Sequence, residues 1–188
     1  MKICIIGGVA GGATAAARLR RLNEHNEIIL FEKGPFISFA NCGLPYHVGG
    51  VIKSREKLIL RPPQDFHRTY QVDVRVLHEV TAISPGKKTL TVKNLSTQAV
   101  VEESYDKLIL SPGGVPFIPD IPGLSETPFM TLRDIPDMDK ILERIRTRKV
   151  RLRMWLGPSS SPCPEPSTAA APAMPIEDGA SRVISRAP

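Results

Sequence analysis

The sequence predicts an α/β fold: a parallel sheet with flanking helices, an antiparallel β-meander inserted into it, and a low-complexity tail. Three observations predict it. Residues 1–33 read strand, glycine-rich turn, helix, strand. From Val72 the pattern changes to two-residue alternation broken by turn residues. Tyr105–Gly113 then returns to the pattern of a parallel strand, with Leu108-Ile109-Leu110 apolar and a glycine at its end.

Lys2-Ile3-Cys4-Ile5-Ile6 is apolar and β-branched, the pattern of a buried parallel strand. Gly7-Gly8-Val9-Ala10-Gly11-Gly12 follows at once, then Ala13 to Leu22, strong helix formers without glycine or proline. A second apolar run, Glu27 to Phe31, ends in Glu32 and Lys33. Together these parts make a dinucleotide-binding βαβ unit of the Rossmann type. Gly7 permits the tight turn out of the strand. Gly8, Ala10 and Gly11 are small where backbone must approach a pyrophosphate, and Gly12 lets the helix pack on the sheet. The free N–H groups and positive dipole end of that helix face the phosphates. Glu32, twenty residues after Gly12, is placed to accept ribose hydroxyls. Val9 stands where G-x-G-x-x-G has its middle glycine. The competing reading is a glycine-rich βα turn in an α/β domain without a nucleotide.

Gly34-Pro35 breaks the second strand. In the next stretch, Ile37 to Tyr46, Ser38 or Asn41 is expected to cap a helix that begins near Cys42. A cysteine in the first turn of a helix has its thiolate favoured by the dipole, which raises its reactivity. The plainer alternative is a small buried hydrophobe, and for mid-strand Cys4 that alternative is preferred. Cys163 lies in the Ser/Pro-rich tail and is read as incidental.

Gly7-Gly8-Val9-Ala10-Gly11-Gly12-Ala13, taken with Ser38-Phe39-Ala40-Asn41-Cys42-Gly43-Leu44-Pro45-Tyr46, resembles the coenzyme A disulfide reductase and NADH oxidase branch of the FAD-dependent pyridine nucleotide–disulfide oxidoreductases. The resemblance runs from Met1 to about Val150. It implies a Rossmann-like FAD-binding domain with Gly7, Gly8, Val9, Ala10, Gly11 and Gly12 at the pyrophosphate and Glu32, with Lys33 beside it, at the adenosine ribose. It implies that Cys42 is the redox nucleophile. Paired-cysteine relatives carry C-x-x-x-x-C, and here the position five after Cys42 is His47. Cys42 is therefore expected to exchange electrons with an external thiol such as coenzyme A, or to pass through a sulfenic acid as NADH oxidases and peroxidases do, or a persulfide. Ser38 and Asn41, and Thr14, Arg18 and Arg21 on the first helix, match substrate contacts. The family's later lysine contact has no counterpart near Arg68-Thr69-Tyr70. Without the resemblance, Arg18 and Arg21 read as a solvated helix face.

The composition excludes other classes. A net charge of +6 is spread over dispersed basic residues, with no aromatic-interleaved stripe, so nucleic acid is not expected as a partner. No apolar run approaches membrane-spanning length, and the N-terminus opens on a core strand rather than a signal peptide. Three cysteines without regular spacing argue against a disulfide framework or a zinc site, and a cytoplasmic setting is expected. His47 and His67 stand alone and are expected in surface or core roles rather than as metal ligands.

Gln64 to Tyr70 reads as a short helix. Val72 to Val76, Val80 to Ile83, Thr89 to Val92 and Thr97 to Glu102 read as strands of a meander over about 72–104, with Glu102 and Glu103 on solvated faces. Tyr105 to Gly113 reads as a buried parallel strand. Residues 1–115 are thus assigned to the first segment of the FAD-binding domain, and 116–150 to a proline-stiffened connector and an amphipathic helix capped by Asp134. Residues 151–188 hold seven of the eighteen prolines and are expected to be disordered, or out of frame. At that point the family would supply a second glycine motif for NAD(P)H, then the rest of the FAD domain and a homodimerisation domain. All three are expected to be missing from this chain. A truncated, inactive nucleotide-binding fragment is the alternative to an enzyme that reduces coenzyme A disulfide.

Overall fold

The computed structural model of the chain describes residues 1–124, 126 and 128–148, so the tail expected at 151–188 lies outside the described residues. Its elements are β1 (Lys2–Ile6), α1 (Ala10–Leu22), β2 (Glu27–Glu32), α2 (Leu44–Val48), α3 (Pro63–Tyr70), β3 (Asp73–Val76), β4 (His78–Ser84), β5 (Thr89–Asn94), β6 (Val100–Ser104), β7 (Lys107–Leu110) and α4 (Ile135–Arg148). Single 3₁₀ turns lie at Asn41–Gly43 and Arg55–Leu58.

A four-stranded parallel sheet has the order β3-β2-β1-β7, and a three-stranded antiparallel sheet the order β4-β5-β6. The α/β class with a parallel sheet and a meander is therefore as expected. One strand changes sheets relative to expectation. Asp73–Val76 pairs with β2 in parallel, Ile29 opposite Asp73 and Glu32 opposite Val76, so the meander begins at His78. The physical reason lies in the side chains. Val74 and Val76 pack against Ile3, Ile5, Ile28 and Leu30, while Arg75 crosses the ring of Phe31 on the other face. A strand at the edge of a parallel sheet, apolar on one face only, alternates as a meander strand does. Leu77, at φ 56°, then turns the chain out of that sheet.

β7 pairs with β1 in parallel as expected, but it is a half-buried edge strand rather than a buried one. Leu110 is 59% exposed. The second face of the sheet is covered by the meander, with Cys4, Ile29 and Phe31 packed on Leu90 and Val92. Glu103 is not on a solvated face. It accepts hydrogen bonds from Lys2 Nζ on β1 and from Arg75 Nη1 on β3 (2.7 Å), and Arg75 also pairs with Asp73 (2.7 Å). One carboxylate thus ties the meander to both parallel strands.

α4 starts with reciprocal capping. Asp137 N–H donates to Asp134 Oδ1 (2.9 Å), and Arg133 N–H donates to Asp137 Oδ2 (3.1 Å). Ile135, Met138 and Ile141 are buried, the first two against Phe39, Leu44 and Leu58. The elements from β1 to Leu142 within α4 build one compact unit, Met1–Leu142.

Candidate functional site

Two glycines shape the turn after β1. Gly7 sits at φ 94°, and a β-carbon there would lie 2.0 Å from the Ser111 carbonyl oxygen at the end of β7. A β-carbon on Gly12 would lie 1.8 Å from the Gly7 carbonyl oxygen. Only glycine fits either position, so the crossing of β1, α1 and β7 depends on both. α1 then begins at Ala10 with Val9 as N-cap, no side-chain cap and no acidic residue in its first turn. Its first N–H groups and its positive dipole end are left for an anion.

Glu32, at the end of β2, points into this turn. One carboxylate oxygen accepts the Gly8 N–H (2.7 Å) and the other the Gly34 N–H (2.8 Å). An ionised carboxylate has about four acceptor sites, so two bonds leave capacity for the hydroxyls of a ribose. The uncapped helix start and this acid fit a nucleotide diphosphate. Lys33, next to Glu32, is exposed. Val9, the departure from the glycine pattern, has a packing role. It is half-buried and sits against the apolar cluster of Phe39, Leu44, Leu58, Ile135 and Met138.

The Cys42 segment is sewn to the same turn. Ser38 N–H donates to the Gly8 carbonyl (2.9 Å), and the Ser38 carbonyl accepts from Leu60 (2.9 Å) and Arg61 (3.3 Å). Ser38 adopts φ 46°, a left-handed conformation rare for serine and the kind of local strain that concentrates at working sites. Ala40 N–H donates to the Leu58 carbonyl (2.8 Å) and Gly43 N–H to the Ala40 carbonyl (3.0 Å). Four residues of chain reach at most about 14 Å, so Cys42 lies within that distance of Ser38.

The expected cap at Cys42 is corrected. Asn41–Gly43 is a single 3₁₀ turn with Ala40 as N-cap, and the short α2 follows at Leu44. Neither Ser38 nor Asn41 makes a side-chain cap, because Ser38 spends its backbone on Gly8 and the 3₁₀ turn begins at Asn41 itself. So short a turn carries little macrodipole. Cys42 is nonetheless exposed, whereas Cys4 is buried, with its thiol pushed up to about 11 by burial and then by the Glu103 charge. Both are free thiols.

The residues expected on α1 do converge. Thr14, Arg18 and Arg21, at helical spacing, share one face and border a groove of about 500 Å³. Ser38 and Phe39 border it too, so it reaches the strained serine. Asn41 is half-buried and does not border it. Arg61 and Tyr70, in no recognised motif, line it as well. His47 and His67 each bond a carbonyl five residues on, Ile52 (2.6 Å) and Val72 (2.7 Å). Among the described residues no group of His, Cys, Asp and Glu side chains could hold a metal ion, and no helix is long and apolar enough to cross a membrane.

Comparison with known proteins agrees with this geometry. Residues 1–152 match the family model described as pyridine nucleotide-disulphide oxidoreductase. Over 156 residues the chain is 43% identical to the coenzyme A disulfide reductase of Staphylococcus aureus (strain JH9), covering 83% of this chain and 35% of that protein. The crystal structure of reduced Bacillus anthracis CoADR-RHD superposes with a TM-score of 0.76 at 51% identity, covering 79% of this chain and 27% of that one. The NAD-dependent persulfide reductase from A. fulgidus superposes with a TM-score of 0.72 at 30% identity, covering 78% and 28%. The chain thus spans about a third of the length of the curated relatives it matches. A βαβ unit with two obligate glycines, a free thiol segment bonded to its turn, and a family match over most of the chain lead to one conclusion: this chain belongs to the pyridine nucleotide-disulphide oxidoreductase family.

Proposed function

We propose that residues 1–148 are the flavin-binding and disulfide-reacting part of an NAD(P)H-dependent oxidoreductase that acts on coenzyme A disulfide, with Cys42 as its single redox nucleophile. The observation that carries this reading is the Ser38 N–H bond to the Gly8 carbonyl. It ties the only exposed thiol among the described residues to the turn suited to a nucleotide diphosphate.

FAD, when bound, supplies the relay of electrons between nicotinamide and sulfur. Gly7, Gly8, Ala10, Gly11 and Gly12 line its diphosphate, with Val9 fixing the turn from behind, and Glu32, flanked by Lys33, holds its ribose. Cys42 does the chain's own chemistry. Its thiolate attacks one sulfur of coenzyme A disulfide, a Cys42–coenzyme A disulfide forms, and the second coenzyme A leaves as a thiolate that takes up a proton. Thr14, Arg18 and Arg21 hold the substrate along the groove that Ser38 also lines, and Asn41, next to Cys42 in the chain and outside that groove, positions the reacting end with Ser38. Cys4 takes no part, since burial keeps it a neutral thiol. The nicotinamide site and the homodimer contact of the whole enzyme belong to further domains, in line with relatives of which this chain spans about a third. Unpaired cysteines suit a cytoplasmic setting.

The test needs no flavin. The chain is mixed with coenzyme A disulfide and digested without reductant. The expected product is one coenzyme A per chain, on Cys42, with one equivalent of free coenzyme A released. An adduct on other cysteines only, or none, overturns the reading. Hydrogen peroxide trapping of Cys42 as sulfenic acid, with no reaction toward coenzyme A disulfide, would favour the oxidase, peroxidase or persulfide chemistry instead. A chain that reacts with neither is an inert fragment.

A further inference from the structure

Arg61 lies outside every recognised motif, yet it lines the same groove as Arg18 and Arg21. Its backbone is fixed at the strained serine, through the N–H that Ser38 accepts (3.3 Å). Its guanidinium reaches away from there and lies 5.7 Å from the centroid of the Tyr70 ring, at the end of α3. Arg20 brings that end of α3 to the end of α1, donating from Nε to the Tyr70 carbonyl (2.8 Å) and from Nη2 to the Gln71 carbonyl (2.8 Å). The Arg61 guanidinium is therefore held beside Tyr70, at the end of α3 that Arg20 ties to α1, in a groove that Arg18 and Arg21 also line. Ser38, four residues before Cys42, lines the same groove.

The four arginines of this corner divide by what they bond. Arg20 is spent on three backbone carbonyls. Arg18 and Arg21 pair with no carboxylate among the described residues, and Arg61 has one long bond to Thr69 Oγ1 (3.3 Å). No aspartate or glutamate lines the groove, and Asp65 on α3 is already paired with Arg68 (2.8 Å). Three guanidiniums gathered without an acid repel one another, and a polyanion relieves this. The guanidinium fork matches phosphate in two-point hydrogen bonding.

We propose that Arg61, steadied on the face of Tyr70, is the specificity-determining cation for the phosphorylated nucleotide end of the disulfide substrate, completing a pocket of three guanidiniums with Arg18 and Arg21. The proposal rests on the reading of Cys42 as the nucleophile toward coenzyme A disulfide. It adds that the groove selects that disulfide over the disulfide of pantetheine, which has the same reacting end and no phosphates.

The experiment follows adduct formation on Cys42 with each of these two disulfides, in the full chain and in Arg61→Gln, Arg61→Lys and Lys87→Gln. The wild-type chain is expected to prefer coenzyme A disulfide, and to lose that preference as salt is raised. Arg61→Gln is expected to slow the coenzyme A disulfide reaction about tenfold and leave the pantetheine disulfide reaction unchanged. Arg61→Lys should recover part of the loss, and Lys87→Gln, with the same charge change outside the groove, should slow neither reaction. Equal slowing of both disulfides by Arg61→Gln, or no slowing of either, overturns the proposal. So does a wild-type chain without preference. A wild-type chain that forms no Cys42 adduct with either disulfide shows instead that the functional reading itself has failed.

Discussion

Gly11 and Gly12 are neighbours in one motif, and the structure assigns opposite outcomes to the same change. In Gly12→Ala the new methyl would sit 1.8 Å from the Gly7 carbonyl oxygen. Real contacts do not fall below 3.0 Å, so backbone must move by more than 1 Å at the point where β1 passes into α1. Both groups belong to main chain, and relief requires the helix to leave the sheet that Ala13, Ala16 and Ala17 pack on. The expected loss is about 3 kcal/mol or more, at the upper end of what overpacking costs. In Gly11→Ala the methyl meets only the Ser111 side chain, its Oγ at 3.2 Å and its Cβ at 3.5 Å. The Oγ ends a rotatable side chain, and alanine is better than glycine in a helix by up to about 1 kcal/mol, so this variant should be as stable as wild type or slightly more so. Its methyl nevertheless enters the space proposed for the flavin diphosphate. Urea unfolding followed by circular dichroism gives the stabilities, and quenching of flavin fluorescence gives the affinities. Gly12→Ala should lose both stability and flavin binding, and Gly11→Ala flavin binding alone. A Gly12→Ala chain as stable as wild type, or a Gly11→Ala chain that binds flavin as tightly as wild type, would refute this account of the turn.

Glu103→Gln should destabilise the chain by about 2 kcal/mol at neutral pH, because Lys2 and Arg75 lose a charged acceptor that is only 15% exposed. Burial alone would raise the Glu103 carboxyl, but the hydrogen bonds from Lys2 and Arg75 outweigh it and hold the group below the usual carboxylate range. Its contribution is therefore full above the unfolded value of about 4.3 and lost as pH falls through the folded value, so the gap between wild type and variant should close on acidification. Cys4 behaves in the opposite sense. Its thiol is held neutral up to about 11 in the fold, so its contribution is present below the ordinary thiol value and lost as pH rises towards 11. Alkylation at pH 8 should accordingly modify Cys42 and spare Cys4 until urea unfolds the chain, and early labelling of Cys4 would contradict its placement in the core.

What was legible in the sequence is what is contiguous in it. The βαβ unit, the helix at Pro63–Tyr70 and the Asp134 cap each rest on neighbours within a few residues, and each is found. The sheet to which Val72–Val76 belongs was not legible, because alternation records one apolar face and not the strand it pairs with. Glu103 looked solvated because its partners, Lys2 and Arg75, are 101 and 28 residues away. The cap at Cys42 failed for a local reason: Ser38 uses its backbone on Gly8 and Arg61, and its φ of 46° takes it off a helical entry. In the site, Thr14, Arg18 and Arg21 were legible only through the family resemblance, since the spacing alone reads Arg18 and Arg21 as a solvated face, and the structure brings the three to one groove. Arg61 has no part in that resemblance, and only the folded chain brings it to the groove they line. Val9 looked like a departure from a phosphate turn until its packing on Phe39 and Leu44 gave it a place.

The central claim joins two features: a flavin seated at the start of α1 and a reactive sulfur a few residues from the serine bonded to the same turn. Titrating the full chain with FAD, while following flavin fluorescence and the alkylation rate of Cys42 together, tests both at once. Saturable quenching, with the Cys42 rate changing over the same range of FAD concentration, is the result expected. Quenching that saturates with no change in the Cys42 rate, or no saturable quenching at all, would contradict the claim.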